Sequence, residues 1–296
     1  MSRLAGGLCS GKISPVQNED FTDAALVVLG HGTELNAGSA VPATQHATEL
    51  RGRKVFAEVR AAFWKQEPQI KNVLAEISAA RVFIVPLFIS EGYFSTEIIP
   101  QALGFKFPDH LKLKIEGKEL HYCRPVGSHE SMTKVILSRA AGVVKEFPFP
   151  RPPKPAETTL FIAGHGTGRN LNSHKAIARQ AELIRAQNLY AGVHDIFMEE
   201  EPRIGDCYTL TQTKNIVVVP FFISDGLHAV EDIPVLLGEP EGLVKERHAA
   251  GQPTWRNPTE KYGKLVWYAA SVGTEPLLAE VIWERVQESA RLAGGK

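Results

Sequence analysis

Several motifs of this chain occur twice at one fixed spacing, and that repetition limits the fold more than any other feature. Gly30-His31-Gly32-Thr33 returns as Gly164-His165-Gly166-Thr167, and Phe88-Ile89-Ser90-Glu91-Gly92 returns as Phe222-Ile223-Ser224-Asp225-Gly226, each 134 positions later. Asn36, Ser39, Phe63, Glu67-Pro68, Glu97 and Pro100 keep the same offset to Asn170, Ser173, Phe197, Glu201-Pro202, Glu231 and Pro234. Near the end of the unit the offset becomes 146, where Tyr122, Val126 and Gly127 match Tyr268, Val272 and Gly273. The second copy therefore carries about a dozen extra residues, in the polar stretch around Gly238–Trp255. Two long copies indicate a duplicated domain, whereas a solenoid stacks many short ones. Five prolines between Phe147 and Pro155 break any helix or central strand and read as a stiff linker. The expected organisation is a loose leader over 1–22, a domain over 23–147, a linker over 148–155 and a second domain over 156–296.

Each copy alternates short apolar runs with helical patterns. Ala25–Leu29, Thr159–Ala163, Val82–Phe88 and Ile216–Phe222 read as buried parallel strands. Helical spacing is expected over roughly Ala40–Lys65, Ser131–Lys145, Ser173–Gln187 and Pro276–Leu292. That order predicts two tandem doubly wound α/β domains, each with a parallel sheet. Ligands of such sheets bind outside the carboxyl ends of the strands, where both repeated motifs fall. One crevice per domain follows, and the two crevices can face each other.

The composition excludes several function classes. With 296 residues, 44% hydrophobic and 22% charged, the chain can build real cores. Its 33 basic and 33 acidic residues cancel, so no global field draws it to nucleic acid or to an anionic membrane. Cys9, Cys123 and Cys207 are too few and too scattered for a disulfide framework or an iron–sulfur cluster within the chain. Neither a signal peptide nor a membrane-spanning run is seen, and a cytoplasmic protein is expected.

The two copies differ where chemistry is expected. His228, in Gly226-Leu227-His228-Ala229-Val230-Glu231-Asp232-Ile233-Pro234, aligns with Phe94, and Glu199 aligns with Lys65. The C-terminal unit can thus bring His165, His228 and Glu199 to three strand ends, whereas the N-terminal unit offers His31, Phe94 and Lys65. Two imidazoles and a carboxylate can bind a first-row divalent ion with open positions. They can equally accept protons. The bland alternative is a solvated Glu199 and a loop-capping His228, against which stands the coincidence of the differences in one copy. Gly164, Gly166, Ser224, Gly226 and His31 are expected to line the ligand crevice. Asn170, Ser173, His174 and Lys175 can contact an anion at a helix start, although capping explains Asn170 or Ser173 as well. Arg169, Arg179, Lys175 and Lys65 are candidate local cations. Trp64, Trp255, Trp267 and Trp283 read as core or interface residues. A histidine phosphatase reading fails because no arginine adjoins either glycine-flanked histidine.

A strand ending in Gly-His-Gly-Thr, a Glu three residues before a Pro, and Gly-x-His-x-x-Glu-Asp-Ile-Pro together resemble the class II tetrapyrrole chelatases. That family holds the sirohydrochlorin cobalto- and ferrochelatases. The resemblance covers nearly the whole chain past residue 23, in the long form with both repeats on one chain. It implies insertion of a divalent metal into sirohydrochlorin or a related tetrapyrrole, in cobalamin or siroheme-type biosynthesis. Co²⁺ is the first candidate, and Fe²⁺ or Ni²⁺ are the alternatives. It further implies that His165 and His228 bind the incoming metal and help remove the pyrrole protons, with Glu199 as acidic helper. A tetrapyrrole is the only partner expected, and a monomer suffices because both repeats share one chain. A non-catalytic tetrapyrrole or metal carrier is the competing reading.

Overall fold

The computed structural model describes residues 19–33, 37–166 and 171–294. Most of the expected leader, together with Asn36, Thr167, Arg169 and Asn170, lies outside the described residues. The first unit runs β1 (Ala24–Gly30), α1 (Val41–Gly52), β2 (Glu58–Phe63), α2 (Ile70–Glu76), β3 (Arg81–Pro86), α3 (Ile99–Ala102), β4 (Lys112–Ile115), β5 (Lys118–Tyr122) and α4 (Met132–Glu146). The second runs β6 (Thr158–Gly164), α5 (Leu171–Arg185), β7 (Gly192–Phe197), β8 (Asn215–Pro220), α6 (Ile233–Leu236), α7 (Glu241–Ala249), β9 (Thr259–Lys261), β10 (Lys264–Tyr268) and α8 (Leu278–Gly294). The sheets are ordered β2-β1-β3-β5-β4 and β7-β6-β8-β10-β9. In each, four strands are parallel and the last, β4 or β9, forms an antiparallel hairpin with its neighbour. The two tandem α/β sheets match the expected class, but each sheet is mostly and not wholly parallel.

Both faces of each sheet are covered, which is why the central strands are apolar along most of their length. In β1, Leu26 and Val28 point to an inner core, and Ala25, Val27 and Leu29 to an outer one. In β6, Leu160 and Ile162 join the same inner core, and Phe161 and Ala163 face a separate outer core. The inner core takes side chains from both sheets and from α1, α4, α5 and α8. The helical pattern over 40–65 is a misreading. The helix ends at Gly52, Lys54 takes a left-handed φ of 54°, and Glu58–Phe63 pairs in parallel with β1. Its alanines and long polar side chains favour a helix locally, but the open edge of β1 offers a full ladder of backbone bonds, and tertiary pairing prevails.

The last helix of each unit crosses to the other. α4 packs on β8 and β10 of the second sheet, and α8 packs on β3 of the first. The turns ahead of these helices are close-packed. A Cβ on Gly127 would stand 1.8 Å from the Ile89 carbonyl oxygen, and one on Gly273 would stand 1.6 Å from that of Ile223. Gly273 also receives a bond across the unit boundary, from His46 Nε2 at 2.8 Å. Its counterpart Gln180 donates to the His129 carbonyl at 2.9 Å. Among the described residues no helix is long and apolar enough to cross a membrane.

Two outcomes follow. Gly273→Ala drives a side chain into a backbone carbonyl that cannot step aside. Chemical denaturation should show a loss at or above the top of the ~1–3 kcal/mol range for overpacking. His46 is fully buried, and that burial pulls its pKa below the usual histidine range. The fold therefore holds the ring neutral, while the unfolded chain takes a proton below about pH 6.5. Its stability is present above that pH and declines as the pH falls towards the lower folded value. His46→Gln copies Gln180, keeps a donor for Gly273 and removes the titration. The drop in Tm between about pH 7.5 and about pH 5 should shrink, without vanishing, since His121 and His129 are shifted the same way by burial.

Candidate active site

His165 is the first residue past β6. Gly164 before it leaves room for α5, since a Cβ there would lie 2.0 Å from Ile177 Cδ1. Helix–strand packing thus accounts for this glycine. Gly166 takes φ +64°, and its carbonyl accepts a 2.9 Å hydrogen bond from His165 Nδ1. A carbonyl can only accept, so the proton sits on Nδ1 and the lone pair on Nε2. His31 is held the same way, with Nδ1 2.9 Å from the Gly32 carbonyl and Gly32 at φ +72°.

Beyond β8 the chain runs through Phe222–Gly226 into a π-helical turn, His228–Asp232, that continues as α6. The turn closes through the Ile233 N–H on the His228 carbonyl. His228 meets His165 edge to face, with ring centroids 4.9 Å apart at 85°. Its Nδ1 lies 2.6 Å from Asp232 Oδ2. The proton is again on Nδ1, so both imidazoles keep Nε2 open as a ligand or base. Glu199, just past β7, puts Oε2 3.8 Å from His165 Nδ1. That is beyond hydrogen-bond range and beside Nδ1 rather than the open Nε2. The three side chains share one end of the sheet. Among the described residues, however, no three His, Cys, Asp or Glu side chains converge to hold one ion.

The first copy repeats the geometry with different side chains. Phe94 meets His31 at 4.7 Å and 81°, Lys65 is exposed, and Ile98 stands where the second copy has Asp232. A further pair belongs to the second copy alone. His174 Nδ1 lies 2.9 Å from Glu200 Oε2 with its ring stacked on Phe197 at 4.4 Å, where the first copy has Ala40 and Gln66. Asp232 escaped the sequence reading, although it stood in the quoted motif. Its signal was the change to isoleucine in the other copy.

A cleft of about 310 Å³ opens between the units. His31, Gly32, Ser39 and Leu87–Ile89 wall it on one side, and Phe222–Ser224, Gly226 and His228 on the other. His165 adjoins it through its ring contact with His228. Of the candidate cations, Lys175 is exposed on α5, while Arg179 is engaged by Glu130 and Glu182. Asn172 donates across the units to the Glu91 carbonyl at 2.7 Å. Trp255 and Trp267 are buried, and Trp283 packs on Phe21 and Phe56.

The CbiX family model matches residues 25–143 and again 159–289. A protein of Halobacterium salinarum, named a probable sirohydrochlorin cobaltochelatase, is 41% identical over 284 residues, covering 91% of this chain and 93% of that protein. The sirohydrochlorin cobaltochelatase of Methanocaldococcus jannaschii is 28% identical over 141 residues, 40% of this chain and 98% of that protein. Among solved structures, a multi-domain Deinococcus radiodurans protein described as structurally similar to chelatases aligns with a TM-score of 0.71 at 27% identity. The alignment covers 88% of this chain and 54% of that one, which carries two additional domains.

The glycines separate structure from ligand contact. Gly166→Ala forces a left-handed alanine whose Cβ lies 2.9 Å from Phe197 Cβ, and it should cost ~1–3 kcal/mol while turning His165 away. Gly226→Ala meets only Ser224 Oγ at 3.8 Å, so stability should stay within about 0.5 kcal/mol. Urea melts of both variants check this. A loss of ligand affinity in Gly226→Ala alone would then report close approach of a ligand to that backbone.

Proposed function

The chain belongs to the CbiX family, and from that premise we propose that it inserts a divalent metal ion into sirohydrochlorin at the C-terminal histidine pair. Co²⁺ is the first candidate, as in the name of its 41% identical relative, with Fe²⁺ or Ni²⁺ as alternatives. The observation that carries the reading is the His165–His228 pair, 4.9 Å apart, with both Nδ1 atoms engaged and both Nε2 atoms open beside the interunit cleft.

The geometry suits the chemistry. The ion must be held and then surrendered, and two imidazoles completed by water hold it less firmly than a closed cage. As it enters, two pyrrole N–H protons leave, so the macrocycle's net charge is unchanged. An imidazole that has released the ion is free to take a proton at the same Nε2. Glu199 stands beside the Nδ1 edge of His165 and serves as the acidic helper of the pair. Phe88, Ile89, Phe222 and Ile223 offer apolar walls to the flat ring. The anionic rim of the substrate needs cations outside those walls, a role assigned to Lys175 and Lys65, both exposed. His31 lines the same cleft from the other unit, with Phe94 against it in place of a second ligand.

We place the protein in the cytosol, where the free buried thiols of Cys123 and Cys207 suit a reducing compartment. A single chain suffices, because both walls of the cleft belong to it.

The test is metal insertion followed by the visible spectrum of the macrocycle. The wild type should convert sirohydrochlorin with Co²⁺. His228→Phe, which copies the Phe94 contact and so spares the fold, should lose at least ~100-fold in kcat/KM, about 2.7 kcal/mol. His31→Ala should retain most activity. Binding of sirohydrochlorin by the wild type without insertion above the uncatalysed rate would replace this reading with a carrier.

A further inference from the structure

We propose that Asp232 is a positioning residue that holds His228 in the tautomer and orientation in which Nε2 is presented to the metal. This inference rests on the proposed insertion reaction. It is carried by the contrast between the two copies of one turn.

The turn itself does not need an aspartate. Phe94–Ile98 and His228–Asp232 are the same π-helical turn, each closed by the N–H of the next residue onto the carbonyl of the first, and each followed by Ile-Pro. The first copy forms it with Ile98 in the place of Asp232. A carboxylate required for folding would be needed in both. Instead it accompanies the histidine, since Phe94 goes with Ile98 and His228 with Asp232.

The side chains give the reason. His228 is 48% exposed and Asp232 46%, so the ring contacts with His165 and Phe222 leave much of the imidazole in solvent, and packing alone holds it only loosely in one rotamer. Asp232 takes up Nδ1 at 2.6 Å and, among the described residues, makes no other ion pair. His165 has no such need. Its Nδ1 is held by the Gly166 carbonyl, and His31 in the unreactive copy is held alike by Gly32. The backbone lock is thus common to both copies, and the carboxylate lock is specific to the working one. A carboxylate behind an imidazole fixes its tautomer and raises its basicity as a ligand, which a carbonyl does more weakly.

The first measurement is the tautomer of His228, read from long-range proton–nitrogen correlations of the neutral rings, with His228→Ala used to assign the signal. The wild type should show the proton on Nδ1. Asp232→Ala should move it to Nε2, the form preferred by a free imidazole, and Asp232→Asn, which keeps an acceptor oxygen, should preserve Nδ1–H. The second measurement is Co²⁺ binding to the protein without macrocycle, followed by its absorbance, alongside insertion kinetics. Asp232→Ala should weaken Co²⁺ binding and raise the KM for metal by ~10–100-fold, and Asp232→Asn by less. Placed on His228→Ala, it should add under about twofold, because a positioning residue acts only through the ring it positions. A wild-type ring protonated on Nε2 would overturn the proposal. So would an Asp232→Ala loss of the same factor with and without His228. Failure of the wild type to insert metal would instead count against the reaction, and the tautomer measurement would still decide the role of Asp232.

Discussion

The exchange of α4 and α8 between the units is the constraint on which the rest of the structure depends. Each helix leaves its own sheet and packs on the other, so neither sheet can bury its inner face alone. The inner core is consequently one body of side chains contributed by both sheets. Burial on that scale is the dominant favourable term in folding, and here it also fixes the angle between the units. The turns before the swapped helices act at the same place. Gly127 and Gly273 press on the carbonyls of Ile89 and Ile223, in the loops that carry the cleft walls. Arg285 of α8 donates to the Pro125 carbonyl and Ser128, and Arg139 of α4 donates to Thr274, so each helix also grips the turn of the opposite unit. The cleft is therefore built into the core and does not depend on a loose hinge.

On this nearly twofold frame the polar side chains at the candidate site are one-sided. The His31–Phe94 and His165–His228 contacts have almost the same separation and angle, so the exchange of one ring for another leaves the packing of the turn intact. What changes is the polar wiring. The second copy adds a carboxylate behind His228 and another beside His165, and gives His174 a partner in Glu200. A buried backbone arrangement is costly to alter, whereas partly exposed side chains at strand ends are cheap to exchange. Duplication thus leaves the frame fixed and the site free to diverge.

The same division explains what could be read in the sequence. The duplication was legible because both copies must fold the same way, and the central strands because they are buried on both faces. β2 was hidden, since Ala61 and Ala62 sit in a run with helical composition and only pairing with β1 makes it a strand. The edge strands β4 and β9 are short and partly exposed, and they carry little apolar signal. Helix exchange cannot be seen in any local pattern, because an amphipathic helix does not state which sheet covers it. At the site, His165 was legible as a repeated strand-end residue, and Glu199 and His228 as differences between copies, but His228 stands in the π-helical turn beyond β8 and not at a strand end as expected. Their wiring was not. That Gly164 makes room for Ile177, or that Glu199 lies beside Nδ1 of His165, follows only from coordinates.

Under the proposed function, a single histidine pair in a shared cleft also follows from the shape of what the cleft would hold. One flat macrocycle between two walls has one central cavity, and the ion can reach it from one face at a time. A histidine in place of Phe94 would add a further imidazole beside His31 with no second ion to bind, and a polar group left unpaired on burial is unfavourable. Phe94 removes that cost while preserving the edge contact with His31. Under the proposed function, the asymmetry between the copies is the arrangement that one ring and one ion would require of two equivalent walls.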